Sequence, residues 1–174
     1  MELNVLLFIT HLAMCLAFAP RNSFDKEERN LGDCDETANC KTGWLKYNNN
    51  CYKIVDEKKT HQEAKDSCAE DDSSLVKIDD VDEGDWIYDT AGLPFVRVTG
   101  KGHLEVYWTS GTRSGGCEWV WSDGTALTYK NWDVDEPNNV NGHEDCINIS
   151  TDGKWNDMSC DEELYYICEK AMEK

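Results

Sequence analysis

Apolar positions are distributed along this chain in three different ways. The first is a continuous run from Val5-Leu6-Leu7-Phe8-Ile9 to Ala19, broken only by Thr10 and His11. At about 15 residues it falls short of the ~20 that cross a bilayer. Residues 18–39 then read as a short polar tail (Arg21, Asp25, Lys26, Glu27, Glu28, Arg29), with neither a heptad nor a Gly-X-Y period. From Cys40 onward, short apolar segments alternate with turns. Trp44-Leu45-Lys46-Tyr47 and Cys51-Tyr52-Lys53-Ile54-Val55 flank Asn48-Asn49-Asn50, a hairpin pattern because Asn tolerates left-handed backbone. Cys40 and Cys51 could close it. Thr60-His61-Gln62-Glu63 has the form of a capping box, and Ala64 and Cys68 then share one helical face. A weaker second helix start is Asp80 with Glu83, leading into Trp86, Ile87 and Tyr88. After Gly92 the pattern predicts strands and turns only: Leu104–Trp108, Trp119–Trp121, a tight turn at Asp123-Gly124, Cys146–Ile149 and Tyr165–Cys168. Two early helices followed by short strands predict an α+β domain over residues 40–170.

Composition changes the picture at the N-terminus. The chain has 9 cysteines among 174 residues, an odd number. Small residues around Ala17 and Ala19 suit signal peptidase; Pro20 disfavours a cut after Ala19, so residues 1–17 are expected to be a signal peptide. Its removal takes Cys15 and leaves an even set in an oxidising compartment, so a secreted, extracellular protein with no membrane span is expected. The net charge of −18 argues against nucleic acid and anionic membranes as partners, since both require a basic surface. Seven Trp and seven Tyr argue against disorder.

The segment Lys130–Asp145 has no apolar period and reads as a long loop. Five carboxylates fall between Asp133 and Asp145, interleaved with Asn138, Asn139, Asn141 and Pro137. An acidic run of this kind is often no more than a solvated loop. Here the mixture of carboxylates and amide carbonyls makes a hard-oxygen donor set, which suits Ca²⁺. Trp155-Asn156-Asp157 offers a further amide and carboxylate, and a disulfide between Cys146 and Cys160 could hold that segment beside the loop. The spacing is not that of an EF-hand.

Glu136-Pro137-Asn138, Glu144-Asp145-Cys146 and Trp155-Asn156-Asp157, together with six ordered cysteines, resemble the calcium and sugar site of C-type lectin domains. Trp108-Thr109-Ser110-Gly111 sits where that family carries its Trp-Ile-Gly-Leu motif. The resemblance implies a fold of two helices, small antiparallel sheets and a long calcium-binding loop, stapled by Cys40–Cys51, Cys68–Cys168 and Cys146–Cys160. On a loop-entropy basis the second staple would contribute about 4.7 kcal/mol and the third about 3 kcal/mol. It also implies a cis bond before Pro137, and Glu136, Asn138, Glu144, Asn156 and Asp157 as ligands shared by Ca²⁺ and two sugar hydroxyls. The order carboxylate-Pro-amide is that of the mannose-type branch, whose members select equatorial 3- and 4-hydroxyls. A lectin role in innate immune recognition of microbial or cell-surface glycans follows by the same analogy, with a protein-binding module of the same fold as the alternative.

Several residues depart from the family pattern. Thr112-Arg113-Ser114-Gly115-Gly116, read as the loop of the accessory calcium site, carries no acid, and the position after Asn138 is Asn139, so one principal Ca²⁺ is expected. Cys34 and Cys117 lack partners in the family pattern; they either pair with each other or link chains into a homo-oligomer. Asn148-Ile149-Ser150 is the single glycosylation sequon, though Asn148 falls in a predicted strand. Trp44, Trp108, Trp119, Trp121 and Trp132 are expected in the core, and His143 in solvent near the loop. An enzyme is not expected: there is no HExxH, no G-x-S-x-G, and the four His show no ligand spacing.

Overall fold

The computed structural model describes residues 40–95 and 106–172, the backbone alone for 91–95, all within one compact unit, Asp35–Lys174. The expected signal peptide (1–17), the polar tail (18–39), Cys34 and the first two residues of the strand expected at Leu104 lie outside the described residues.

The hairpin forms as β1 (Leu45–Tyr47) and β2 (Asn50–Lys59), with Tyr47 paired to Asn50 across a two-residue turn. Asn48 takes the left-handed conformation there, at φ 48°. Helix α1 (His61–Glu70) starts at Thr60, whose hydroxyl accepts from Glu63 N while Thr60 N donates to the Glu63 carboxylate. His61, Ala64 and Cys68 form its buried stripe. Helix α2 (Val81–Phe95) is capped by Asp80, whose carboxylate accepts from Glu83 N at 2.8 Å. Only half of a capping box forms, because the Glu83 carboxylate turns to Asp79 N and the Tyr52 hydroxyl instead. The expected break at Gly92 does not occur; α2 runs to Phe95. One glycine costs a helix only about 1 kcal/mol relative to Ala, too little to end it.

The strands that follow are β3 (Ser74–Leu75), β4 (Val106–Ser114), β5 (Glu118–Val120), β6 (Cys146–Ser150), β7 (Trp155–Met158) and β8 (Leu164–Ala171). They join in the order β1-β2-β8-β4-β6-β7, with β3 paired to β8 and β5 to β4. Every pair is antiparallel except β4 with β8, the parallel pair that connects the helix-side hairpin to the strands carrying the loop. The segment Thr112–Ser114, read from the sequence as loop, is the end of β4, paired through Thr112↔Val120, Arg113↔Trp119 and Ser114↔Glu118. Partners outside the local window decided it, since Thr112 also lies opposite Cys146.

Strand alternation sends successive side chains to opposite faces. Trp108, Cys146, Leu164, Tyr166 and Cys168 pack with Ala64 and Cys68 of α1 on one face. Tyr107, Ile147, Ile149 and Ile167 pack with Trp119, Trp121, Trp155 and Ile87 of α2 on the other. Gly111 is the point of closest approach: a Cβ there would sit 2.5 Å from Ile147 Cδ1. Trp108, Trp119 and Trp121 are core as expected, but Trp44 and Trp132 are half-buried at its edges. Trp44 lies instead under the Lys170 ammonium, 4.6 Å from its ring centroid. Cys40–Cys51, Cys68–Cys168 and Cys146–Cys160 are bonded. Cys117, exposed in the turn between β4 and β5, is a free thiol among the described residues.

An acidic cluster of buried Glu83 and half-buried Glu169 joins β2, β8 and α2. The Tyr52 hydroxyl donates to Glu83 at 2.6 Å and lies 3.4 Å from Glu169, which also accepts from Asn50 Nδ2 and Lys77 N. Burial, followed by the charges of Glu83 and Asp79, pushes the Glu169 carboxyl up to about 7 from its ordinary 4.5. Between those values the folded domain holds a proton that the unfolded chain has released. Stability therefore falls as pH rises through this window. Glu169→Gln removes the charge and keeps one of the two acceptor oxygens. It is expected to raise the melting temperature at pH 8 by a few degrees and leave it nearly unchanged at pH 4.5, in thermal melts across that range; an equal shift at both values would count against this assignment.

Candidate functional site

The long loop is anchored at its root by β7. Trp155 N donates to Asn131 O and Asp133 N to Trp155 O, both near 2.9 Å, and Trp132 bridges Trp155. Asn131 is held from both sides, its Nδ2 donating to Gly153 O and its Oδ1 accepting from Lys154. Trp155 packs edge-on against Trp121, Tyr129 and Trp132, making it both core and the base of the loop. Beyond this root the chain turns sharply. Asp135, Asn139, Asn141 and Gly142 all take positive φ, residue types that tolerate left-handed backbone at least cost. A short 3₁₀ turn, Val140–Gly142, is the loop's only regular element.

The Glu136–Pro137 peptide bond is cis. Glu136 and Asn138 lie side by side beyond it: Asn138 Nδ2 donates to Glu136 Oε1 at 2.8 Å, and Asn138 N to Oε2 at 3.1 Å. Asn138 Oδ1 and the Glu144 carboxylate both accept from Val140 N, at 3.0 and 2.6 Å. The Glu144 backbone is fixed in turn by Asn139, whose Oδ1 accepts from Glu144 N. Asp157 projects from β7 and is 0 % exposed. Its Oδ1 accepts from Asn138 N, and its Oδ2 from Asn139 N and the Arg113 guanidinium, all within 3.0 Å. Of the five expected ligands, the hydrogen bonds thus gather Glu136, Asn138, Glu144 and Asp157. Asn156 adjoins Asp157 on β7 without a side-chain hydrogen bond to the other four.

The donor set tests whether calcium suits this place. Among the described residues no three His, Cys, Asp or Glu side chains cluster as an ion site, so carboxylates alone do not make one. The amide oxygens of Asn138 and Asn156 must complete it, and a mixed carboxylate–amide oxygen set is one that Ca²⁺ accepts. The electrostatics point the same way. The Glu136 carboxyl is pushed up, first by burial and then by Asp157 and Glu144, so negative charge accumulates where a cation would relieve it. His143 is exposed beside this loop. Two exposed apolar side chains, Val134 and Val140, flank it.

Sequence reading missed Arg113. It lies at the end of β4 with its guanidinium over the Trp119 ring, 4.6 Å from the centroid. It reaches Asp157 Oδ2, Glu144 O and Asp145 Oδ1, each at 2.9 Å, and its own N–H donates to Asp145 O. The signal available was a lone basic residue in a segment without acids; its partners lie 31 to 44 positions away.

The family model "Lectin C-type domain" matches residues 57–170. The chain is 34% identical over 141 residues to human "C-type lectin domain family 17, member A", covering 80% of this chain and only 34% of that protein's length. It is also 34% identical to a perlucin-like protein of Mytilus galloprovincialis, over 79% of this chain and 86% of that one. Among solved structures, the carbohydrate-recognition domain of the mouse scavenger receptor C-type lectin superposes with a TM-score of 0.67 at 34% identity, covering 78% of this chain and 98% of that domain.

Asn148 is the expected glycosylation position, and the structure argues against it. Its side chain is 1 % exposed inside β6, with Trp108 opposite on β4 and Asn156 opposite on β7. A glycan on that nitrogen has no room in the folded sheet. Intact-mass analysis of protein from a glycosylating host is expected to show no loss of mass on N-glycosidase treatment; removal of a glycan from Asn148 would overturn this reading.

Proposed function

The chain belongs to the C-type lectin domain family, and from that premise we propose that it is a secreted, calcium-dependent lectin for mannose-type sugars. The observation that carries the proposal is the side-by-side placement of Glu136 and Asn138 next to Asp157. A sugar hydroxyl has one proton to donate and lone pairs to accept with. The Asn138 Nδ2–Glu136 Oε1 hydrogen bond sets a donor beside an acceptor at 2.8 Å. A hydroxyl that replaces this bond donates to the Glu136 carboxylate and accepts from the Asn138 amide. By the family resemblance, Glu144 and Asn156 would serve a second, neighbouring hydroxyl in the same way. Bonds to the two carboxylates are the stronger ones because the acceptor is charged. Calcium, held by Glu136, Asn138, Glu144, Asn156 and Asp157, would neutralise these carboxylates and complete its own shell with the same two hydroxyls. The order Glu136-Pro137-Asn138 supports mannose-type ligands over galactose, whose receptors in this family carry amide-Pro-carboxylate.

Two hydroxyls make a shallow contact, so useful avidity calls for several sites on one molecule. The exposed Cys117 thiol, or Cys34, would supply a disulfide-linked homo-oligomer. Repetitive glycans on microbial or cell surfaces are the matching partners, in an innate immune role. A second reading is supported by Asp157 itself. Both its oxygens already hold protein donors, which is compatible with a calcium-independent module that binds protein.

Retention on mannose-agarose separates the two. Binding in calcium, with release by a chelator and by free mannose, is the expected result. Retention that ignores the chelator would rule out the calcium mechanism, and elution by galactose alone would rule out the sugar class. A second expectation concerns the Cys146–Cys160 staple, which ties β6 to the segment after β7. Replacing both cysteines with Ala is expected to weaken mannose binding at least tenfold while the domain stays folded by circular dichroism, because Asn156 and Asp157 lose their tether. Unchanged binding would contradict this.

A further inference from the structure

Among the described residues Arg113 is the one cation paired with the loop's acids, and nothing in the proposed sugar chemistry uses it. Its side chain is 16% exposed and its guanidinium bridges three separate points: the Asp157 carboxylate on β7, the Glu144 carbonyl and the Asp145 carboxylate at the loop's return. Trp119 covers its flat face. A planar, delocalised cation with several donors suits such a bridge, whereas a lysine ammonium is a point charge on a flexible stem. Without this cation, Asp157 would be a fully buried carboxylate beside Glu136 with no counter-charge. The ordering extends outward from Asp157. Its two oxygens take the N–H groups of Asn138 and Asn139, which position the Glu136–Asn138 pair.

We infer that Arg113 is a positioning residue that holds the Asn138–Asp145 loop in its binding geometry before any metal arrives. The loop is therefore ordered in the calcium-free protein, and calcium binds to a prepared site instead of folding one. This deepens the lectin reading and rests on it only for the calcium step.

Amide hydrogen exchange on the full chain in chelator tests the inference without reference to calcium. In wild type the Asn138 and Asn139 amides are expected to be protected at least a hundredfold over unprotected rates. In Arg113→Gln that protection is lost in chelator and restored by saturating calcium, and Arg113→Lys recovers part of it. By calorimetry the calcium Kd rises about tenfold in Arg113→Gln, while the melting temperature in saturating calcium stays within a few degrees of wild type. Unprotected Asn138 and Asn139 amides in chelator-treated wild type would overturn the inference, even if the variant does not fold. Equal protection in wild type and Arg113→Gln, or calcium binding that is unchanged or tightened in the variant, would overturn it as well. Protected wild-type amides with no calcium uptake would instead sink the calcium reading and leave the role of Arg113 standing.

Discussion

A carboxylate with no access to solvent must find its compensation inside the protein, and Asp157 is the residue on which this requirement falls. Its three partners come from two places: a guanidinium on β4 and two backbone amides of the loop. Satisfying one buried charge therefore fixes the distance between β4, β7 and an otherwise irregular segment. The loop has few apolar side chains to pack, and Val134 and Val140 point outward. Hydrogen bonds to Asp157 replace the hydrophobic contacts that position the rest of the chain.

The sheet makes that arrangement possible. The parallel β4–β8 pair joins β4 to the β2–β8 strands, and β6 and β7 follow on its other side. The Cys146–Cys160 bond and the Trp121–Trp155–Trp132 cluster then hold both sides of the loop root. The scaffold is rigid where the chemistry needs rigidity, and the loop contributes only side-chain oxygens, amides and turns.

The acid excess of the chain separates into two structural populations. Glu83 and Glu169 sit at the β2–β8–α2 junction, where Tyr52, Asn50 and backbone amides solvate them and burial raises both carboxyls. Asp157 lies at the root of the loop with Arg113 as its fixed counter-charge, and Asp157 and Glu144 both act on the Glu136 carboxyl. The first cluster is two carboxyls raised by burial, and the second is a buried carboxylate paired with a guanidinium.

What the sequence determined by itself was local. The hairpin with left-handed Asn48, the Thr60–Glu63 capping box and the short apolar strands at Cys146 and Tyr165 follow from interactions a few residues apart. The Glu-Pro-Asn and Asn-Asp motifs marked the site because motif chemistry also lies in adjacent residues. Tertiary structure decided the rest. Thr112–Ser114 became strand because β5 and Cys146 pair with it. Trp44 and Trp132 went to the edges of the core, and Asn148 went inside the sheet where no glycan fits, since burial depends on what packs opposite. Arg113 carried no local sign of its role. Its partners Glu144, Asp145 and Asp157 are distant in sequence, and an ion pair of that kind exists only once the fold has brought β4 and β7 to the same loop.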